Sequence, residues 1–68
     1  FPVVQIIDVD EAVSASYAEL KFYLKQRGTP IPTNDIWIAA ACIVKGCVLL
    51  TRDRHFENLP QVRVRWGD

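Results

Sequence analysis

Residues 36–44, with the sequence IWIAAACIV, limit the fold of this chain more than any other segment. The segment is apolar almost all round, and a helix of this kind has to be buried on several sides. Its three alanines allow close packing against a sheet. We therefore predict a buried helix from about Asn34 to Lys45, capped by Thr33 or Asn34 and ended by Gly46.

Apolar periodicity predicts two further elements before this helix. Residues 3–7 form a nearly continuous apolar run, which is typical of a strand that is buried on both faces in a parallel sheet. Apolar residues then recur at helical spacing, which indicates an amphipathic helix that ends at Gly28. Asp8 and Glu11 resemble a capping box at its start. The apolar stripe of this helix consists of Val9, Val13, Tyr17, Leu20 and Leu24.

Two more strands are predicted after the buried helix. Residues 48–50 indicate a second buried strand, which Thr51 closes, and residues 52–60 indicate a turn or short helix. Residues 62–66 alternate between apolar side chains and arginine, as in a half-exposed strand at a sheet edge. The order strand, helix, helix, strand, short helix, strand favours an α/β fold with a parallel sheet, three short strands and two main helices.

Length and composition set further limits. A chain of 68 residues is at most one small domain, here residues 1–68, and its stability is marginal unless a partner or a metal contributes. The net charge is zero and no segment is long enough to span a membrane, so we expect a cytoplasmic protein without a membrane partner. Cys42 and Cys47 are expected to be buried, reduced thiols. Because the chain begins at Phe1, directly before an apolar run, we expect it to be part of a longer protein.

Two carboxylates are candidates for a metal site. Asp53 comes two residues after the predicted strand end at Thr51, at the edge where parallel sheets bind ligands. Asp35 lies in the first turn of the buried helix, where the helix dipole stabilises negative charge. Together they could hold Mg²⁺ or Mn²⁺, which prefer oxygen ligands. From spacing alone, the alternative that Asp35 only complements the dipole and Asp53 only caps the next helix stays open.

The local motifs add a family resemblance. Residues 30–41, PIPTNDIWIAAA, and residues 49–56, LLTRDRHF, closely resemble the paired motifs of VapC-type PIN-domain ribonucleases. The resemblance covers essentially the whole chain. It implies a Mg²⁺- or Mn²⁺-dependent endoribonuclease in which Asp35 and Asp53 are catalytic metal ligands. It also implies that the Thr51 hydroxyl organises the site; Asn34, beside Asp35, is a possible polar neighbour of the metal ligands.

The chain also departs from that family pattern. A PIN domain begins with a central strand that ends in Asp and supplies a Glu from a later helix, and neither segment is found here. The resemblance therefore implies the C-terminal half of the domain, which alone is expected to be inactive. Its expected partners are RNA, a VapB-type antitoxin, and either the missing N-terminal half or further copies of this chain. The alternative is a catalytically incomplete module that dimerises or binds the antitoxin. An unrelated receiver-like domain ranks lower. It would need an acidic pair after its first strand and a lysine after a late strand, and the segment after residues 48–51 supplies Arg52 and Asp53 instead.

Several other residues have two possible roles. Arg52 and Arg54 are candidates for RNA contact, because a nuclease needs cationic groups near its metal. The arginines at 63 and 65 fit the solvated face of an edge strand better. His55 is expected to help local packing or capping. Trp37 and Trp66 are expected to pack against neighbouring residues rather than stack on bases.

Overall fold

The computed structural model describes residues 10–67. It confirms the α/β class, with two helices and a small parallel sheet. The predicted strand at residues 3–7 lies outside the described residues. In chain order the elements are helix α1 (Glu11–Arg27), helix α2 (Thr33–Lys45), strand β1 (Leu49–Thr51), a 3-10 helix (Arg54–Asn58) and strand β2 (Val64–Trp66).

Helix α1 starts with a different cap from the one predicted. Asp10 is the N-cap residue, and its Oδ1 accepts a hydrogen bond from the backbone N–H of Val13 at 2.9 Å. The predicted capping pair of Asp8 and Glu11 is therefore wrong. The extended backbone of Asp10 brings its own carboxylate within reach of the N–H three residues ahead. The predicted end at Gly28 is confirmed, with a φ of 66° that favours glycine.

Helix α2 begins at Thr33, one residue earlier than predicted. Pro32 is its N-cap residue and no side chain caps the helix, so the predicted cap at Thr33 or Asn34 is wrong. The reason is that both residues already lie inside the first turn. The Pro32 carbonyl accepts the first helical hydrogen bonds, from the N–H groups of Asp35 and Ile36. Gly46 ends the helix as expected, at a φ of 68°.

The hydrophobic core lies between α1, α2 and the segment after β1. Leu24 and Ala39 are almost completely buried where the two helices meet, and full burial of a side chain as large as Leu24 contributes about 1.5–3 kcal/mol. Tyr17 and Trp37 stack with ring centroids 3.8 Å apart, which confirms Trp37 as a packing residue. The buried apolar residues are Val13, Leu20, Leu24, Ile36, Ala39, Ala40, Phe56, Leu59 and Val62.

Strands β1 and β2 pair in parallel, with Leu49 opposite Val64 and Thr51 opposite Trp66. Leu49 and Val64 pack against the core, but Val48 and Leu50 are more than half exposed, at 55% and 56%. The prediction that residues 48–50 form a buried strand is therefore wrong for the part of the chain that is described. Successive side chains of a strand point to opposite faces, and within residues 10–67 the core covers one face of this sheet.

The two cysteines differ in their surroundings. Cys42 is half-buried and Cys47 is exposed, and both are free thiols, so the prediction of two buried thiols is correct only in part. Burial, together with the neighbouring Cys47, raises the pKa of the Cys42 thiol. Among residues 10–67, no helix combines the length and the apolar character that crossing a bilayer requires.

Candidate metal centre

Asp53 is held in place by the backbone that follows β1. Its N–H donates a hydrogen bond to the Thr51 hydroxyl at 3.0 Å. Its Oδ1 in turn accepts a hydrogen bond from the N–H of His55 at 3.0 Å and so caps the 3-10 helix. Local hydrogen bonds of this kind are typical of Thr and Asp at turns. The T-R-D-R-H sequence therefore positions Asp53 just beyond the carboxyl end of β1.

Asp35 approaches the same place from helix α2. It lies in the first turn, and its side chain is only 15% exposed. The 3-10 helix packs against α2, with Phe56 and Ile36 in the same core cluster. This contact between two separate segments brings Asp35 next to the turn that carries Asp53.

His55 links the two carboxylates. Its Nδ1 lies 2.8 Å from Asp35 Oδ2 and 2.9 Å from Asp53 Oδ1. The hydrogen bond to Asp35 is the main reason that the pKa of His55 is raised above its ordinary value of 6.5. The charges of both carboxylates add to this effect, and partial loss of hydration opposes it.

Sequence reasoning missed the contact between His55 and Asp35. The expectation of local packing or capping described only the backbone N–H of His55, which Asp53 does cap. The position of a histidine two residues after Asp53 was a usable signal, because the turn directs both residues to the same side. The partner Asp35, by contrast, is brought close only by tertiary packing.

The other predicted site residues lie around this cluster. Asn34 is exposed beside Asp35, and its side chain makes no hydrogen bond to any of residues 10–67. The side chain of Arg52 lies over the backbone of Gly67. The guanidinium carbon of Arg54 lies 5.2 Å from the centroid of the Trp66 ring, and its Nη1 is 3.4 Å from a Glu57 oxygen. Trp66 is 40% exposed, so it is a surface residue.

The donor set fits a divalent cation. One atom each from Asp35, Asp53 and His55 lie within 4.8 Å of one another. Carboxylate oxygens are the usual protein ligands of Mg²⁺ and Mn²⁺, and such ions keep several water molecules. Asp53 and His55 are about half exposed, which leaves room for those waters. The carboxylates of Asp35 and Asp53 are the residues that would hold the ion.

Comparison with known proteins identifies the class. The family model described as "PIN domain" matches residues 1–62 of this chain. The chain therefore belongs to the PIN-domain family, as the paired motifs around Asp35 and Asp53 predicted.

Individual proteins are also similar to this chain. Ribonuclease VapC4 of Mycobacterium tuberculosis is 38% identical over 58 residues, which are 85% of this chain and 45% of the relative. Ribonuclease VapC1 of Methanocaldococcus jannaschii is 31% identical over 65 residues, which are 94% and 48% of the two chains. Ribonuclease VapC5 of M. tuberculosis is 29% identical over 55 residues, or 81% and 41%. The chain thus spans less than half the length of each relative. No solved structure matches it.

Proposed function

We propose that this chain supplies part of the active site of a Mg²⁺- or Mn²⁺-dependent endoribonuclease, the toxin of a VapBC-type toxin–antitoxin system. The observation that carries the proposal is the convergence of Asp35, from the start of α2, and Asp53, from the turn after β1. The relatives named as VapC ribonucleases support the reaction class. The substrate would be RNA, cleaved by hydrolysis of phosphodiester bonds.

Each site residue has a distinct part in this proposal. Asp35 and Asp53 hold the cation, which, when bound, activates a water molecule and stabilises negative charge on the phosphate. The Thr51 hydroxyl keeps the Asp53 backbone in position through its 3.0 Å hydrogen bond. Asn34 lies next to Asp35 in the first turn of α2 and is proposed as a polar neighbour of the metal ligands.

RNA contact is assigned to Arg52 and Arg54. Both side chains are exposed, and the two residues flank Asp53 in the sequence. Cationic side chains at this place attract the phosphate backbone and hold it against the metal. Arg54 also lies over the exposed ring of Trp66, which orients its guanidinium group.

Partners are proposed from the sheet face that the core leaves exposed within residues 10–67. Val48 and Leu50, two residues apart, expose their apolar side chains. A VapB-type antitoxin, the remaining part of the PIN domain, or a second copy of this chain could cover this surface. The same observation favours the second candidate function, a module that dimerises or binds an antitoxin without cleaving RNA. In either case we propose a cytoplasmic location.

A cleavage assay on the protein that the whole reading frame encodes tests the enzyme proposal. RNA should be cut in the presence of Mg²⁺ or Mn²⁺ and remain intact in EDTA. Asp35→Asn and Asp53→Asn should each lower the rate about 100-fold or more, because loss of a metal ligand removes several kcal/mol of transition-state stabilisation. Glu19→Gln, an exposed carboxylate on α1, is the matched control and should cut normally. Normal cleavage by both Asp variants would refute the site assignment.

The two candidate functions differ in a second measurement. Calorimetry of the 68-residue chain with Mn²⁺ should detect binding if the site is used, and none if it is merely inherited. Sedimentation in parallel reports whether the chain self-associates. A monomer that binds no metal and whose full-length protein cuts no RNA would contradict the enzyme proposal.

A further inference from the structure

His55 occupies the space between the two carboxylates, and no step of the proposed function uses it. Its Nδ1 is within 2.8 Å of Asp35 Oδ2 and 2.9 Å of Asp53 Oδ1. One ring nitrogen therefore faces one oxygen from each of the proposed metal ligands. The three ligand atoms all lie within 4.8 Å of one another.

The spacing agrees with the coordination shell of a small divalent ion. For bonds of about 2.1 Å in an octahedral shell, neighbouring ligand atoms lie about 3 Å apart. Both distances from His55 Nδ1 to the carboxylate oxygens are close to that value. A cation that binds here would take the place of the proton that Nδ1 shares with the carboxylates, and that proton would be released to solvent.

The local backbone keeps the imidazole at this position. The N–H of His55 donates to Asp53 Oδ1 at 3.0 Å, and the ring Nδ1 lies 2.9 Å from the same oxygen. Phe56, the next residue, is 4% exposed and anchors the 3-10 helix in the core. The backbone from which the imidazole extends is therefore held in place.

On the basis of the proposed function, we propose that His55 Nδ1 is a third protein ligand of the metal and makes the site favour Mn²⁺ over Mg²⁺. Mg²⁺ is a hard ion that selects oxygen ligands and keeps its waters. An imidazole ligand suits transition metals better than it suits Mg²⁺. Among the first-row divalent ions Mn²⁺ binds such sites most weakly, so the expected preference is over Mg²⁺ alone. Replacing one oxygen ligand by His55 therefore changes the choice of ion.

His55→Asn is the most informative substitution. The side-chain amide of Asn ends at about the position of Nδ1, so it offers the metal an oxygen in place of the nitrogen. The backbone N–H that Asp53 caps is unchanged, and His55 is exposed, so the fold should be retained. Circular dichroism of the variant verifies this.

The experiment measures Mn²⁺ and Mg²⁺ binding to the 68-residue chain, with Mn²⁺ followed by electron paramagnetic resonance and Mg²⁺ by competition. We expect pulsed spectra of bound Mn²⁺ to show coupling to a directly bound ¹⁴N nucleus. His55→Asn should remove this coupling and lower Mn²⁺ affinity about tenfold or more, while Mg²⁺ affinity changes less than about threefold. Asp53→Asn should weaken the binding of both ions.

The outcomes separate this inference from the proposed function. Mn²⁺ binding without ¹⁴N coupling, or an unchanged preference in His55→Asn, would overturn the role of His55 and leave the two carboxylates as the metal site. If the wild-type chain binds neither ion more tightly than Asp53→Asn does, both the inference and the metal site are wrong. A ¹⁴N coupling that persists in His55→Asn would mean that another group supplies the nitrogen.

Discussion

Asp53→Asn and Asp53→Ala separate two roles of one side chain. The Oδ1 of Asp53 caps the 3-10 helix by accepting the N–H of His55, and the same carboxylate belongs to the proposed metal site. Asn keeps an acceptor oxygen at this position and removes the charge. Ala removes both. The two variants should therefore differ in stability and agree in their loss of metal binding.

The size of the stability effect follows from the exposure of the cap. Loss of an Asp N-cap costs about 0.5–2 kcal/mol, and Asn caps about as well as Asp. The Asp53 side chain is 44% exposed, so the lower part of that range applies to Asp53→Ala. For a chain of this length, about 0.5–1 kcal/mol corresponds to a Tm decrease of roughly 2–8 °C. Asp53→Asn should leave Tm nearly unchanged.

Thermal unfolding by circular dichroism in EDTA measures how much the cap contributes to stability. Titration with Mn²⁺, at a temperature where all variants are folded, measures the affinity of the metal site. Glu57→Gln is the control, because Glu57 lies in the same 3-10 helix but outside the metal cluster. A Tm decrease in Asp53→Asn as large as that in Asp53→Ala would refute the capping argument. Undiminished Mn²⁺ binding by Asp53→Asn would refute the metal-site argument.

Three further predictions concern the core, the histidine and the arginine. Leu24→Ala should lower the free energy of unfolding by about 2–5 kcal/mol, measured by urea titration, whereas exposed Phe22→Ala should cost less than about 1 kcal/mol. In metal-free protein, NMR should give His55 a pKa above 6.5, and this pKa should decrease in Asp35→Asn. The contact between His55 and Asp35 should stabilise the fold fully below pH 6.5, and this stabilisation should disappear as pH rises through the folded-state pKa. An unshifted pKa would contradict the contact. In filter-binding assays, Arg54→Ala should lower the affinity for RNA and reduce the dependence of that affinity on salt concentration. Arg27→Ala, which removes an arginine that lies over Tyr23, should change neither.

The helices could be predicted because their signals are local. The stripe that includes Val13 and Leu24 indicated α1, and the apolar segment at 36–44 indicated α2. Both glycine stops were found, since each glycine adopts a positive φ that other residues avoid. Both N-caps were mispredicted, because the exact start of a helix depends on the backbone conformation. That conformation makes Asp10 the cap of α1 and leaves α2, which starts after Pro32, without a side-chain cap.

The exposure of β1 was harder to predict. An apolar run such as residues 48–50 has the same appearance whether one face or both faces are covered. Within residues 10–67 the core covers the face of Leu49, and Leu50 remains exposed. Which faces are covered depends on the neighbours of a strand in space, and these do not follow from the composition of the strand.

The sequence by itself determined the family, and it singled out the two carboxylates as candidates. It also specified the local turn that joins Thr51, Asp53 and the N–H of His55, because each of these features depends on residues close together in the chain. Only the tertiary structure decided that His55 meets Asp35. That contact requires the 3-10 helix to pack on the start of α2, with Phe56 buried beneath it. Packing between distant segments sets the direction and the neighbours of a side chain, and here it places a ring nitrogen between two carboxylates.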